Sequence, residues 1–233
     1  MELQLFGINY KTSNVAEREQ FIINESNQII LDNHLKSLFK RDLESFYGIS
    51  TCNRTEIYMV GKPGISKEVF REVANTLKLD DISEDSFYFL ENHDALVHMI
   101  KVASGIDSQV LGEQEIFGQF KAALKRARSH KIIGNKLSFL SDKVIEISKQ
   151  ARTETEIGLN SLSISGLALR LIRNIFEEPK NQNVLIVGAG SLAQNVMENM
   201  YKKGICNIKA VNRTPKKIKL NNNFEILSSS LDS

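Results

Sequence analysis

The stretch Phe46-Tyr47-Gly48-Ile49-Ser50-Thr51-Cys52-Asn53-Arg54-Thr55-Glu56-Ile57-Tyr58-Met59-Val60 decides the fold of the first part of this chain. Two apolar runs rich in aromatic and β-branched residues flank a short polar link, the pattern of two consecutive strands. The link carries Cys52, one of 2 cysteines in the chain. A side chain at a strand end is held by a rigid scaffold and presented to solutes. Thiol chemistry runs through the thiolate, and a cation such as Arg54 close by raises the thiolate fraction at neutral pH. Cysteine is also a common buried residue, so local sequence leaves plain packing as the competing reading of Cys52.

Outward from this stretch, Leu3, Leu5 and Ile8 predict a first strand, and residues 15–33 and 35–40 carry helical spacing. The two strands around Cys52 are predicted at 45–49 and 55–60, followed by a Pro63-Gly64 turn. Ser66 reads as the N-cap of a helix to residue 77, and Phe87-Tyr88-Phe89-Leu90 as a fourth strand. The order β-α-β-β-α-β is that of the ferredoxin-like split unit. Helices are then predicted over 95–104, which includes His98, and over 116–130, 137–152 and 161–176. Glu177-Glu178-Pro179-Lys180-Asn181 is a polar break that marks a domain boundary.

Beyond the break the pattern changes. Val184-Leu185-Ile186-Val187 is a continuous apolar run, as expected of a strand buried on both faces. It leads into Gly188-Ala189-Gly190-Ser191-Leu192-Ala193, a helical stretch to residue 203 and a second strand at 208–211. A strand, a glycine turn, a helix and a strand in this order form a dinucleotide-binding unit. The first glycine makes the turn, the second lets the backbone approach a pyrophosphate, and Ala193 is small enough for the third position. Arg213, at the end of the second strand where an acidic residue would bind the ribose of NAD, suits the 2′-phosphate of NADP. With a third strand at 224–227, residues after Pro179 make about one half of a dinucleotide fold, with an exposed edge and an uncovered apolar face.

The chain has 233 residues, 42% hydrophobic and 25% charged, the balance of an ordinary globular protein. A formal net charge of +2 leaves any nucleic-acid contact to local patches. Two cysteines fit a reducing compartment. No basic leader and no apolar run of membrane-spanning length is read, so a cytoplasmic location is expected. No metal site is read. A nucleophilic thiol joined to a nicotinamide site suggests acyl reduction, in which a thioester forms and a hydride takes it to an aldehyde.

Residues 1–215 resemble glutamyl-tRNA reductase. The resemblance runs through Gly7-Ile8-Asn9-Tyr10-Lys11-Thr12-Ser13, Ser50-Thr51-Cys52-Asn53-Arg54-Thr55-Glu56 and the stretch from His98 to Ser108. It continues through Val110-Leu111-Gly112-Glu113, Arg152-Thr153-Glu154-Thr155, Ile157-Gly158 and the glycine turn. It implies NADPH-dependent reduction of glutamyl-tRNA(Glu) to glutamate-1-semialdehyde, the first step of tetrapyrrole synthesis. It also implies an α/β fold class, an α+β ferredoxin-like catalytic domain with added helices and then a partial Rossmann-like domain. The implied limits are 1–155 for the catalytic domain, 156–180 for a helical connection and 181–233 for the NADPH-binding domain. Cys52 would be the nucleophile and His98 a residue important for activity. Thr51, Asn53, Arg54, Ser108, Glu113, Gln114, Glu115 and Gln119 would contact substrate, with Arg54 also able to fork onto a carboxylate. Gly188, Ala189, Gly190, Ser191, Leu192 and Ala193 would hold the cofactor. Glutamate-1-semialdehyde aminomutase is an implied partner. The family is homodimeric, and its dimerisation domain is not among these residues.

The chain departs from the family at Gln114-Glu115, where Pro-Gln is usual, at Tyr10 for a histidine and at Asn14 for a proline. Two other readings stay open from sequence. One is an esterase, with water in place of hydride. The other is a non-catalytic tRNA-binding or partner-binding module using Lys121, Lys125 and Arg128 on one helical face, with Arg126, Lys131 and Lys136 nearby.

Overall fold

The computed structural model describes residues 1–79, 81–155, 157, 164–215, 217–221, 224–227 and 229–230, with the side chains of residues 164, 191, 220, 221, 224–227 and 230 excepted. Gly158, the expected helix positions 161–163 and the side chain of Ser191 therefore lie outside the described residues. The chain divides into two compact units, Met1–Ser161 and Leu162–Ser233.

The first unit opens with β1 (Glu2–Asn9), α1 (Val15–Gln20), α2 (Glu25–Phe39), β2 (Leu43–Ser50), β3 (Arg54–Gly61), α3 (Ser66–Leu77) and β4 (Tyr88–Glu91). The strands form one sheet in the order β2-β3-β1-β4, with every neighbouring pair antiparallel. This is the expected split βαββαβ arrangement. Three helices follow, α4 (Asn92–Ser104), α5 (Gln114–Ser129) and α6 (Asn135–Glu154).

Alternation along each strand sends neighbouring side chains to opposite faces. On one face Leu5, Tyr47, Tyr58 and Val60 pack against α4, α5 and α6 through Met99, Phe120 and Val144. On the other Phe6, Phe46, Ile57 and Met59 pack against α2 and α3 through Leu31, Leu35, Val69 and Phe70. Burying each such side chain contributes about 1.5–3 kcal/mol before entropy is counted. The sheet thus has two hydrophobic faces and two covers.

The helix expected over 15–33 is broken. Phe21 and Ile23 turn into the core between α1 and α2. Asn14 caps the first helix in a capping box with Glu17, and Asn24 caps the second by accepting from the Asn27 N–H at 2.8 Å. Ser66 does not cap α3 through its side chain; its own N–H donates to Gln4 Oε1 at 3.0 Å.

The second unit contains α7 (Ile164–Ile175), β5 (Val184–Val187), α8 (Ser191–Lys202), β6 (Ile208–Asn212), β7 (Lys217–Asn221), β8 (Phe224–Leu227) and β9 (Ser229–Ser230). Helix α7 falls in the segment expected as a connection; its Leu169 shares a core with Ala189, Met197, Met200 and Ala210. Strands β5, β6 and β9 form a parallel sheet. Residues 224–227 pair antiparallel with β7 in a local hairpin, and Ser229–Ser230 provides the third parallel strand. The expectation that 224–227 joins the parallel sheet is corrected accordingly. So is the expectation that β5 is buried on both faces: Leu185 is 61% and Val187 70% exposed, because α7 and α8 pack on the opposite side.

Candidate functional site

Cys52 sits at the tip of the β2–β3 hairpin. The Thr51 N–H donates to the Arg54 carbonyl at 2.8 Å, which closes the turn. Thr51 Oγ1 then accepts from the N–H groups of Asn53 and Arg54, both at 3.1 Å. The tip is also tied to its neighbours. The Tyr10 N–H donates to the Asn53 carbonyl at 2.9 Å, and Arg18 Nε to the Cys52 carbonyl at 3.1 Å. Thr51, Cys52 and Asn53 are therefore presented on a braced loop. The thiol is exposed and borders a cleft of about 350 Å³ walled by Val15, Arg18, Glu19, Ile22, Ser50 and Thr51.

Behind the tip lies a buried polar cluster whose centre the sequence reading missed. Glu56 is 0% exposed. Its carboxylate accepts from Arg54 Nη1 at 2.7 Å, His98 Nε2 at 2.9 Å, Tyr88 Oη at 2.5 Å and Tyr58 Oη. Room for it comes from Gly7, its partner across β1 and β3, where a Cβ would stand 2.7 Å from Glu56 Cγ. These donors outweigh burial and hold the Glu56 carboxyl well below its ordinary range. An ionised carboxylate only accepts, so Nε2 of His98 carries a proton. The imidazole also meets the Tyr88 ring edge-on at 5.4 Å between centroids.

Arg54 departs from expectation. It is 1% exposed, and its guanidinium faces inward, Nη1 to Glu56 and Nη2 to Asp107 Oδ2 at 3.0 Å and the Asp107 carbonyl. Asp107 also accepts from Lys11 Nζ at 2.5 Å, which joins the β1–α1 loop to the segment after α4. Burial opposes the ionised form of Asp107, but Lys11 and Arg54 hold its carboxyl below the usual value. Arg54 is thus turned away from the role expected of it beside Cys52. Burial pushes the thiol above its ordinary value and Glu113 and Glu115 add to the rise, while a backbone hydrogen bond and, more weakly, Arg18 oppose it. The signal for a buried acid was present in β3, where Glu56 shares a face with Tyr58 and Val60 in an otherwise apolar run. No local signal pointed to Arg18, which comes from another element.

The remaining expected substrate residues gather around the start of α5. Gly105 and Gly112 adopt left-handed conformations, at φ +83° and +75°, and the Gly112 N–H closes the loop onto the Gly105 carbonyl at 2.9 Å. Arg152, from the Arg152-Thr153-Glu154-Thr155 motif, clasps that loop by donating to the carbonyls of Ser104, Gly112 and Glu113 at 2.9, 3.1 and 3.2 Å. Ser108 is buried and hydrogen-bonds Glu113, whose carboxyl is nonetheless raised by burial and by Glu115. Gln114, Glu115 and Gln119 are exposed on α5. Gln114 borders a second cleft, of about 340 Å³, with Phe117, Gly118, Lys121 and Arg152. The walls of the Cys52 cleft come from α1 and the hairpin instead. Of the basic stripe, Arg126 donates to the Gly48 carbonyl, Arg128 pairs with Asp142 at 2.6 Å, and Lys136 donates to the Met1 carbonyl.

In the second unit the glycine turn has the shape a pyrophosphate needs. Gly188 is at φ +112°, a region that favours glycine, and Gly190 precedes α8 as its N-cap. A Cβ at either position would meet nothing within 4 Å, so the backbone N–H end of α8 opens onto free space. Ala189 is buried and Ala193 packs on the helix side, while Leu192 is 46% exposed. Arg213 is exposed just past β6. The residues present fit a dinucleotide.

Comparison with known proteins agrees with this layout. Residues 6–155 match the family described as Glutamyl-tRNAGlu reductase, N-terminal domain, and residues 170–228 the family described as Shikimate / quinate 5-dehydrogenase. The chain is 36% identical over 218 residues to the glutamyl-tRNA reductase of Sulfurihydrogenibium sp. (strain YO3AOP1), covering 89% of this chain and 48% of the relative. It is 34% identical over 216 residues to that of Pseudoalteromonas atlantica, covering 92% and 50%. A solved structure, the glutamyl-tRNA reductase from Methanopyrus kandleri, matches with a TM-score of 0.62 at 28% identity, over 91% of this chain and 49% of that one. The chain spans about half the length of the curated relatives it matches.

Proposed function

This chain belongs to the glutamyl-tRNAGlu reductase N-terminal-domain family, and from that premise we propose that it carries out the acyl-transfer half of glutamyl-tRNA reduction and binds the nicotinamide cofactor of the other half. The observation that carries the reading is the braced thiol of Cys52 beside an open cleft, above a buried ionic cluster. The Cys52 thiolate attacks the ester carbonyl of glutamyl-tRNA(Glu). The C–S bond forms, the bond to the ribose oxygen breaks, and that oxygen leaves with a proton. A glutamyl thioester remains on Cys52. Thr51 and Asn53 keep the sulfur at the tip, and Arg54 and Glu56 fix His98, whose Nε2–H is committed to Glu56. The imidazole's other nitrogen is then the one free to exchange a proton.

The open glycine turn at Gly188 to Ala193 is the place for NADPH, with Arg213 toward the 2′-phosphate. When bound, that cofactor supplies the hydride that converts a thioester to glutamate-1-semialdehyde. Glutamate-1-semialdehyde aminomutase would take the aldehyde onward. The test is aldehyde formation from glutamyl-tRNA(Glu) and NADPH by the purified chain. Product that vanishes in Cys52→Ser supports the reading; a folded chain that yields no aldehyde refutes the complete activity for these 233 residues.

A further inference from the structure

The thiol of Cys52 lies among acids. Glu113 and Glu115 at the start of α5 both disfavour its ionisation, and Glu19 on α1 lines the same cleft. The adjacent cation in sequence, Arg54, is turned into the sheet onto Glu56 and Asp107. Arg18 shares the wall of this cleft with Glu19. Its Nε donates to the Cys52 carbonyl at 3.1 Å and its Nη1 to the Ser13 carbonyl at 2.5 Å, so one guanidinium bridges the β1–α1 loop and the hairpin tip.

The helix that carries Arg18 has little other purpose in the fold. Helix α1 has 6 residues and none of them is buried. Its direction is nonetheless fixed. Asn14 Oδ1 accepts from the Glu17 N–H at 3.0 Å, Glu17 Oε2 accepts from the Asn14 N–H at 2.8 Å, and Glu17 Oε1 accepts from Ser86 Oγ at 3.0 Å. A short helix with no core face, tied at its start to the segment before β4, holds one guanidinium against the nucleophile's own carbonyl.

We propose that Arg18 is the positioning residue of the Cys52 thiol: it locks the hairpin tip by bridging two carbonyls and sets its charge beside the sulfur, the role that sequence adjacency gave to Arg54. The inference rests on the reading of Cys52 as acyl acceptor. A planar guanidinium with several directed N–H groups can span two carbonyls and keep its charge in one place, whereas a lysine has a single mobile head. Arg18 opposes burial and the field of Glu113 and Glu115 without overcoming them, so it limits how far the thiol is raised.

The test is the pH profile of Cys52 alkylation by iodoacetamide in the 233-residue chain, with the exposed Cys206 replaced by serine. R18Q should move the midpoint up and slow alkylation at pH 7 by about three- to tenfold, the scale of one neighbouring charge. R18K should stay closer to the parent than R18Q does. E113Q should move the midpoint the other way. Because α1 buries no side chain, R18Q should unfold at nearly the parent urea concentration; R18M is the second neutral variant should the glutamine one misfold. An unmoved profile in the neutral variants overturns the proposal, as does equal slowing in R18Q and R18K. The titration uses neither tRNA nor nucleotide, so it can fail while glutamyl transfer succeeds, and the reverse.

Discussion

The four-stranded sheet of the first unit and the parallel sheet of the second are finished differently. In the first unit both faces of the β2-β3-β1-β4 sheet are covered, and a charged cluster centred on Glu56 is sealed beneath one of the covers. In the second unit helices cover one face of β5 and β6, Leu185 and Val187 stand in solvent on the other, and among the described residues no charged side chain is buried. The first unit spends stability on holding Cys52 and the residues behind it in one geometry. The second offers an open backbone cradle whose shape comes from what glycine leaves out.

The contrast breaks most sharply at Glu56. Replacing it with leucine leaves Arg54 buried beside half of its partners, and removing one member of a buried pair costs about 3–5 kcal/mol. Urea unfolding, followed by hydrogen exchange at β1 and β3 amides, should record that loss in the first unit and none in the second. A loss under about 1 kcal/mol would mean that the cluster is not what holds the sheet's charged interior.

Acid should separate the units as well. The folded state holds Glu56 ionised below its ordinary value of 4.5, and Asp107 below 3.8. Their contribution is complete at neutral pH, begins to fade as pH drops through those ordinary values, and goes on fading in stronger acid. First-unit amides should therefore lose protection on acidification, and in E56L that dependence should flatten. Equal acid sensitivity in parent and E56L would count against the assignment.

A matched pair of leucines sharpens the packing side of the comparison. Leu5→Ala, at a fully buried position, should cost about 2–5 kcal/mol. Leu185→Ala, on the bare face, should change stability by less than about 0.5 kcal/mol. Comparable costs would show that the face of β5 is covered in solution.

A modest effect on stability is expected at the cradle. Gly190 has φ −73° and open space where a Cβ would go, so Gly190→Val should cost only the loss of a good N-cap, about 1 kcal/mol. The same valine would occupy the space left for a pyrophosphate, and NADPH binding by calorimetry should fall at least about tenfold. Unchanged affinity would move the nucleotide elsewhere.

Much of this was legible in the sequence, and the exceptions share a cause. Two continuous apolar runs in residues 45–60 and the polar link between them pointed to the hairpin and put Cys52 at its end. The glycine turn was readable because its requirement is local. Tertiary packing decided the rest. Spacing over residues 15–33 looked helical until Phe21 and Ile23 were drawn into a core that local pattern cannot see. Arg54 looked like the cation of Cys52 because the two are close in sequence, yet a strand sends Arg54 inward, and Arg18 arrives from 34 residues away. Lys217 to Asn221 pairs with Phe224 to Leu227 in a local hairpin that displaced the expected third parallel strand.

Acylation at the hairpin tip is the most direct point of attack on the whole account. The chain is mixed with tRNA carrying labelled glutamate, without NADPH, quenched in acid, digested and analysed by mass spectrometry. The account predicts a hydroxylamine-sensitive glutamyl adduct on the peptide containing Cys52, absent in Cys52→Ser. Intact glutamyl-tRNA with an unmodified Cys52 in folded protein, or label fixed to any other residue, would contradict it.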